Sequence, residues 1–277
     1  MVKDLGVSAN VAPNIVVTLT TFILGFLITW TAGYVSRFVK KIKYRRILKV
    51  IIRQYLDRCK LQIEELENFT KQKGFLHGQG FTIVMASNFS QTYLSNLDVK
   101  VFVENFSSIF KRGRAKQVAE LFELIERIKF SKERLDEVVA KVDERYKDEK
   151  KIYDDNLTGI RKLQEDLRLR YHNKEVESEF ASYLESIPKA FKNWIDKGAP
   201  TNMIDTLNGI VNPIYDSSVK VDVNEVSREM IDFTLNCRQA VVNLELGESV
   251  LREQILHTKE IHEKSYSKGI EILDDWS

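Results

Sequence analysis

The sequence predicts an all-α protein: one N-terminal transmembrane helix followed by a cytoplasmic helical bundle with two long coiled-coil-like helices. Three observations lead there. The chain has only four prolines and twelve glycines in 277 residues, and these are the residues that punctuate helices and turns. No charged residue occurs from Leu5 to Ser36. Apolar residues then recur at alternating three- and four-residue spacings over long stretches, the signature of a helix with one buried seam.

Taken in order, residues 1–13 form a short extracytoplasmic tail and 14–36 the transmembrane helix. Pro13 suits a first helical turn, where its missing N–H is no loss. Ile15 to Val35 is apolar and long enough to cross ~30 Å of hydrocarbon at 1.5 Å per residue. A cleaved signal peptide fits poorly. Its basic residues should precede a shorter apolar core, whereas here they follow a long one. Thr21, Gly25, Thr29 and Gly33 stand four apart within this helix. Small residues on one face let two helix backbones approach closely in lipid, so the ladder points to self-association.

Residues 37–72 form a basic juxtamembrane helix. Arg37, Lys40, Lys41, Lys43, Arg45, Arg46 and Lys49 are seven cations with no acid among them. The positive-inside rule puts this flank in the cytoplasm and the N-terminus outside. The same cluster suits anionic lipid headgroups. Leu48, Ile52, Tyr55, Cys59, Gln62, Leu66 and Phe69 continue the helical spacing beyond the membrane.

Residues 73–277 form the cytoplasmic bundle. The glycine-rich KGFLHGQGF lacks the Gly-Lys-Ser/Thr ending of a P-loop and reads as a turn. Shorter helices are expected over 81–110, with a lone strand near DVKVFVEN as the less favoured alternative. The longest seam runs from Val118 to Leu167 within 115–171. Lys132, Glu149 and Asn156 break its apolar rule, and Ser131 is a place where it could divide into two helices. A helix over 175–196 either tolerates Pro188 or bends there, and KGAP at 197–200 ends it. Met203, Leu207 and Ile210 suggest a short helix before Pro213. A second long seam starts near Asp222–Asn224 and passes through Val226, Met230, Phe233, Cys237, Ala240, Leu244 and Leu251.

Charge and cysteine content narrow the function. Residues 1–53 carry nine Lys/Arg and one acid, leaving 33 basic and 39 acidic residues in the remainder. An acidic bulk makes nucleic acid an unfavoured partner. Cys59 and Cys237 form no CxxC pair, so they read as reduced, packed thiols. His77, His172, His257 and His262 form no HExxH or other metal-ligand spacing. No metal and no cofactor is expected.

One fragment, REQILH at 252–257, resembles the Arg-x4–6-His motif of the HEPN ribonucleases, metal-free and dimeric all-helical enzymes. The resemblance implies that Arg252 would stabilise the phosphate and His257 would perform acid–base chemistry. Glu253 departs from the polar residue usual at that place.

The leading expectation is a non-enzymatic, single-pass membrane protein acting as an interaction or scaffold protein. Its partners would be the bilayer, copies of itself and a further protein. A bacterial inner membrane is the favoured setting. The alternatives are a membrane-disrupting or pore-forming effector of a defence or toxin system, and a HEPN-like membrane-anchored ribonuclease.

Overall fold

The computed structural model describes residues 11–72, 74, 76, 113–171, 177–221 and 225–276. Among these residues every regular element is helical and no strand occurs. In chain order they are α1 (Val11–Thr70), α2 (Gly113–Arg170), α3 (Ser178–Asp196), α4 (Met203–Thr206), a π-helical turn (Leu207–Val211), α5 (Asn212–Ser218) and α6 (Glu225–Asp275). The glycine-rich turn, the helices or strand expected over 81–110 and the start expected at Asp222–Asn224 lie outside the described residues.

The apolar segment 14–36 and the basic stretch after it form one helix, because nothing between Pro13 and Thr70 breaks it. Its end has a specific stop. Arg252 of α6 donates from Nη1 to the Thr70 carbonyl (3.0 Å) and from Nη2 to the Gln72 carbonyl (2.7 Å). A cation at a helix C-terminus satisfies carbonyls that have no intrahelical donor and opposes the negative end of the dipole.

α2 runs unbroken through Ser131, whose hydroxyl donates to the Ile128 carbonyl (2.9 Å) and so leaves no polar group unpaired in the buried seam. α3 also runs through its proline. Its apolar face, with Tyr183, Ile187 and Ala190 buried, holds the helix together across Pro188. It ends where expected: Gly198 adopts φ +87° and Ala199 φ +46°, and the Ala199 N–H returns to the Trp194 carbonyl (3.0 Å). The next element differs from expectation. Asn202 caps α4 by accepting from the Asp205 N–H (2.8 Å), but the helix does not end before Pro213. The π turn over Leu207–Val211 widens the hydrogen-bond register just ahead of the proline. Pro213 then falls in the first turn of α5, where no donor is required of it.

The chain divides into two compact units. The first comprises residues 1–57, 89–123 and 269–277. Its buried side chains are Leu48, Ile52, Tyr55 and Leu56 from α1, Val118 and Leu121 from α2, and Ile272, Leu273 and Trp276 at the end of α6. Helices approach closely here: a Cβ placed on Gly269 would stand 2.9 Å from Leu56 Cδ1.

The second unit comprises residues 58–88 and 124–268. One core cluster joins Leu66 and Phe69 of α1, Leu135 of α2, and Leu251 and Ile255 of α6. The other joins Tyr153, Ile160, Leu163 and Leu167 of α2 to α3, the α4–α5 segment and Met230–Leu244 of α6. Within this unit α2 and α6 are antiparallel. The partners of Ile128, Glu149, Tyr153 and Asn156 on α2 are His262, Asn243, Cys237 and Asn236 on α6. Two of the seam's polar exceptions meet partners there. Asn243 donates to Glu149 (2.8 Å) and Asn236 donates to Asn156 (3.1 Å).

Candidate functional site

The N-terminal part of α1 is long and apolar enough to cross a membrane, and none of its most apolar stretch is buried within the chain. Phe22, Phe26 and Trp30 expose 74, 64 and 59% of their surface. Burying such side chains is worth about 25 cal/mol per Å², so this surface calls for a covering. The small-residue ladder shares that exposure. A Cβ on Gly25 would meet nothing within 4 Å, and one on Gly33 would meet only the end of Arg37 at 4.0 Å. Thr21 and Thr29 donate to the Val17 and Gly25 carbonyls, each at 2.8 Å. Their hydroxyls are therefore satisfied within the helix. Trp30 and Tyr34 stack with centroids 6.2 Å apart at the end of this segment.

The cations that follow the apolar segment fall into two sets. Arg37, Lys40, Lys43 and Arg46 are exposed, whereas Lys41, Arg45 and Lys49 are half-buried. Lys49 donates to the Trp276 carbonyl at the end of α6. Trp276 in turn donates from its indole Nε1 to Gln117 Oε1 (3.0 Å), and Gln117 donates to Asp275 (2.9 Å). Arg53 pairs with Asp274 at 3.5 Å. This chain of contacts fixes α1 against the start of α2 and brings Arg114 within electrostatic reach of Arg45 and Lys49. Burial and then the Arg114 guanidinium hold both the Arg45 and the Lys49 side chains below their ordinary values. No local pattern links Arg114 to Lys49, because 64 residues lie between them.

The ribonuclease pair is not brought together. Arg252 is committed to the end of α1 and to Glu248, which accepts from its Nε at 2.9 Å. His257 is exposed, and five residues of continuous helix rotate it by about 140° from Arg252. His77 and His172 lie outside the described residues. His262 is fully buried, with Nε2 3.3 Å from the Ile128 carbonyl and Nδ1 without a hydrogen-bond partner. Burial lowers its pKa to about 4, with the Ile128 carbonyl opposing the shift and Lys132 adding to it.

Both cysteines are free and buried. Burial raises each to about 12; Cys59 donates to the His262 carbonyl (3.8 Å) and Cys237 to the Tyr153 carbonyl (3.6 Å). Neither carries a reactive thiolate at neutral pH. Among the described residues no group of three His, Cys, Asp or Glu side chains could hold a metal ion. A cleft of about 270 Å³ opens between α2 and α3, lined mainly by Leu167, Tyr171, Leu184, Ile187 and Pro188, with Gln164 and Arg168 as its polar members.

Comparison with protein-family models, with curated proteins and with solved structures gave no match to this chain.

Proposed function

We propose that this chain is a single-pass membrane-anchored interaction protein that assembles with copies of itself. Residues 14–36 cross the bilayer, the N-terminus lies outside and the remaining helices lie in the cytoplasm. The observation that carries the reading is the exposed apolar segment of α1. It bears a ladder of small residues whose glycines have open space around them. Lipid can cover bulky side chains as well as protein can, but only a close-packed helix gains from a groove of glycine and threonine methyl groups. The role is structural assembly rather than catalysis. Arg252, the one arginine that the ribonuclease resemblance requires, is already used as a helix stop.

The test is the mass of the full-length protein in detergent, beside a Gly25→Leu/Gly33→Leu variant. Because neither glycine packs against other elements among the described residues, the variant is expected to fold. A defined oligomer that dissociates in the variant supports the reading; a monomer in both forms overturns self-assembly through this face. Membrane potential in expressing cells then separates a scaffold, which leaves it unchanged, from a pore, which collapses it. RNA incubated with the full-length protein is expected to remain intact. Cleavage that disappears in His257→Ala would return the ribonuclease reading to first place.

A further inference from the structure

α3 keeps a proline where a helix normally excludes one. Pro188 lies inside its 19 residues, ten positions after the start at Ser178. A proline there supplies no N–H to the Leu184 carbonyl, and its ring crowds that carbonyl. Departures of this kind from local rules concentrate at functional sites. Pro188 and Leu184 both line the cleft between α2 and α3. A longer side chain at position 188 would extend into that cleft, so the short proline ring keeps it open.

The two walls are matched helix faces. Gln164, Leu167 and Arg168 stand three and four apart on α2, and Leu184, Ile187 and Pro188 do so on α3. Leu167 and Ile187 form an apolar floor, exposing only 3 and 1% of their surface, and both belong to the core of their unit. Gln164, half-buried, and Arg168, exposed, stand one turn apart along the rim. Among the described residues neither of these two side chains has a hydrogen-bond or ion-pair partner. The cleft therefore joins an apolar floor to one uncommitted cation and one uncommitted amide. Its volume of about 270 Å³ holds about nine non-hydrogen atoms, at the roughly 30 Å³ that a water-sized group occupies.

We infer that the cleft between α2 and α3 binds a small amphipathic carboxylate, an aromatic ring or short acyl chain bearing one acid group. The apolar body of the ligand covers Leu167, Leu184 and Ile187. Its carboxylate pairs with Arg168, and the Gln164 amide is a second donor within the same turn. Paired guanidinium N–H groups match the two oxygens of a carboxylate, and the apolar floor strengthens the pairing by excluding water. One guanidinium balances one negative charge. A phosphate dianion calls for a second cation, and the residues lining the cleft supply none. A cationic amphipath of the same size is repelled by Arg168. The inference does not depend on how α1 assembles or on what covers it.

The experiment titrates full-length protein in neutral detergent with phenylacetate, followed by saturation-transfer NMR, with protein-free micelles as the blank. A Kd of about 0.1–1 mM is expected, ordinary for so small a ligand. Phenethylammonium, with the same ring and the opposite charge, should bind at least about tenfold more weakly. Arg168→Gln should weaken phenylacetate at least about fivefold. Arg170→Gln, about 200° around α2 from Arg168, should bind as wild type. Pro188→Leu restores an N–H for the Leu184 carbonyl and places a side chain in the cleft. It is expected to abolish binding while Tm stays the same or rises. No saturable binding by the wild type, or binding that persists in Pro188→Leu, overturns the site. Equal binding of phenethylammonium, or full affinity in Arg168→Gln, overturns its assignment to carboxylates. Should Pro188→Leu fail to fold, the comparison of Arg168→Gln with Arg170→Gln decides by itself. Loss of the oligomer in the glycine variants bears on none of these outcomes.

Discussion

A histidine with no exposed surface must be either neutral or paired with an acid, and His262 is neutral. The groups around it are the Ile128 carbonyl and Lys132 of α2 and Cys59 of α1, which donates to the carbonyl of His262 itself. None of these is an anion. Its folded pKa of about 4 lies below the ordinary 6.5. Below pH 6.5 the unfolded chain takes up a proton that the folded chain refuses, so stability falls as pH drops from 6.5 toward 4. By linkage the loss between pH 7.5 and pH 5 is about 2 kcal/mol. His262→Gln is expected to lower stability at pH 7.5 but to remove this part of the pH dependence. Chemical denaturation of both proteins at the two pH values checks it, since other titrating groups cancel in the comparison. Equal slopes in the two proteins would mean that His262 is solvated. Periodicity does not place this residue, because its burial depends on α1 and α2 closing over it.

At the scale of elements, α1, α2, α3 and α6 were legible because each carries many turns of repeating apolar spacing. The polar exceptions in the α2 seam were legible as exceptions, but not as pairs. Glu149 and Asn156 meet asparagines 94 and 80 residues away, and no local pattern carries that information. The passage of the helix across Pro213 was misread for a different reason. Proline normally marks a boundary, and the π turn that accommodates it has no sequence signature of its own. The stop of α1 is another long-range feature. Arg252→Ala should release the last turn of α1, at a cost of about 1–2 kcal/mol for a charge-assisted contact. Amide exchange is expected to accelerate near residues 66–72 and to stay unchanged around residues 155–165. Arg252→Lys should restore little, because one ammonium cannot reproduce the forked contact with Thr70, Gln72 and Glu248. Unaltered exchange near the end of α1 in Arg252→Ala would show that the last turn is held by apolar packing alone.

At the scale of the whole molecule, the orientation proposed for the chain rests on charge placement. Two cations and acids together, Lys3 and Asp4, precede the apolar segment, and seven cations follow it closely. Orientation follows the side richer in Lys and Arg, because those residues resist translocation. The cysteines make this testable with little background. Both are buried and raised to about 12, so at pH 7.5 the thiolate fraction is roughly one in 10⁴ or less and a maleimide should not react with the folded wild type. A cysteine at an exposed position becomes a clean reporter. Asp4→Cys is expected to react with a membrane-impermeant maleimide in intact cells from which any outer barrier has been removed. Lys220→Cys, exposed just after α5, should react only once the membrane is permeabilised. The reverse pattern would invert the chain. Labelling of both positions in intact cells would mean that α1 does not cross the bilayer at all. Its bare apolar surface would then have to be covered by other chains, making the small-residue ladder part of a soluble assembly rather than a membrane one.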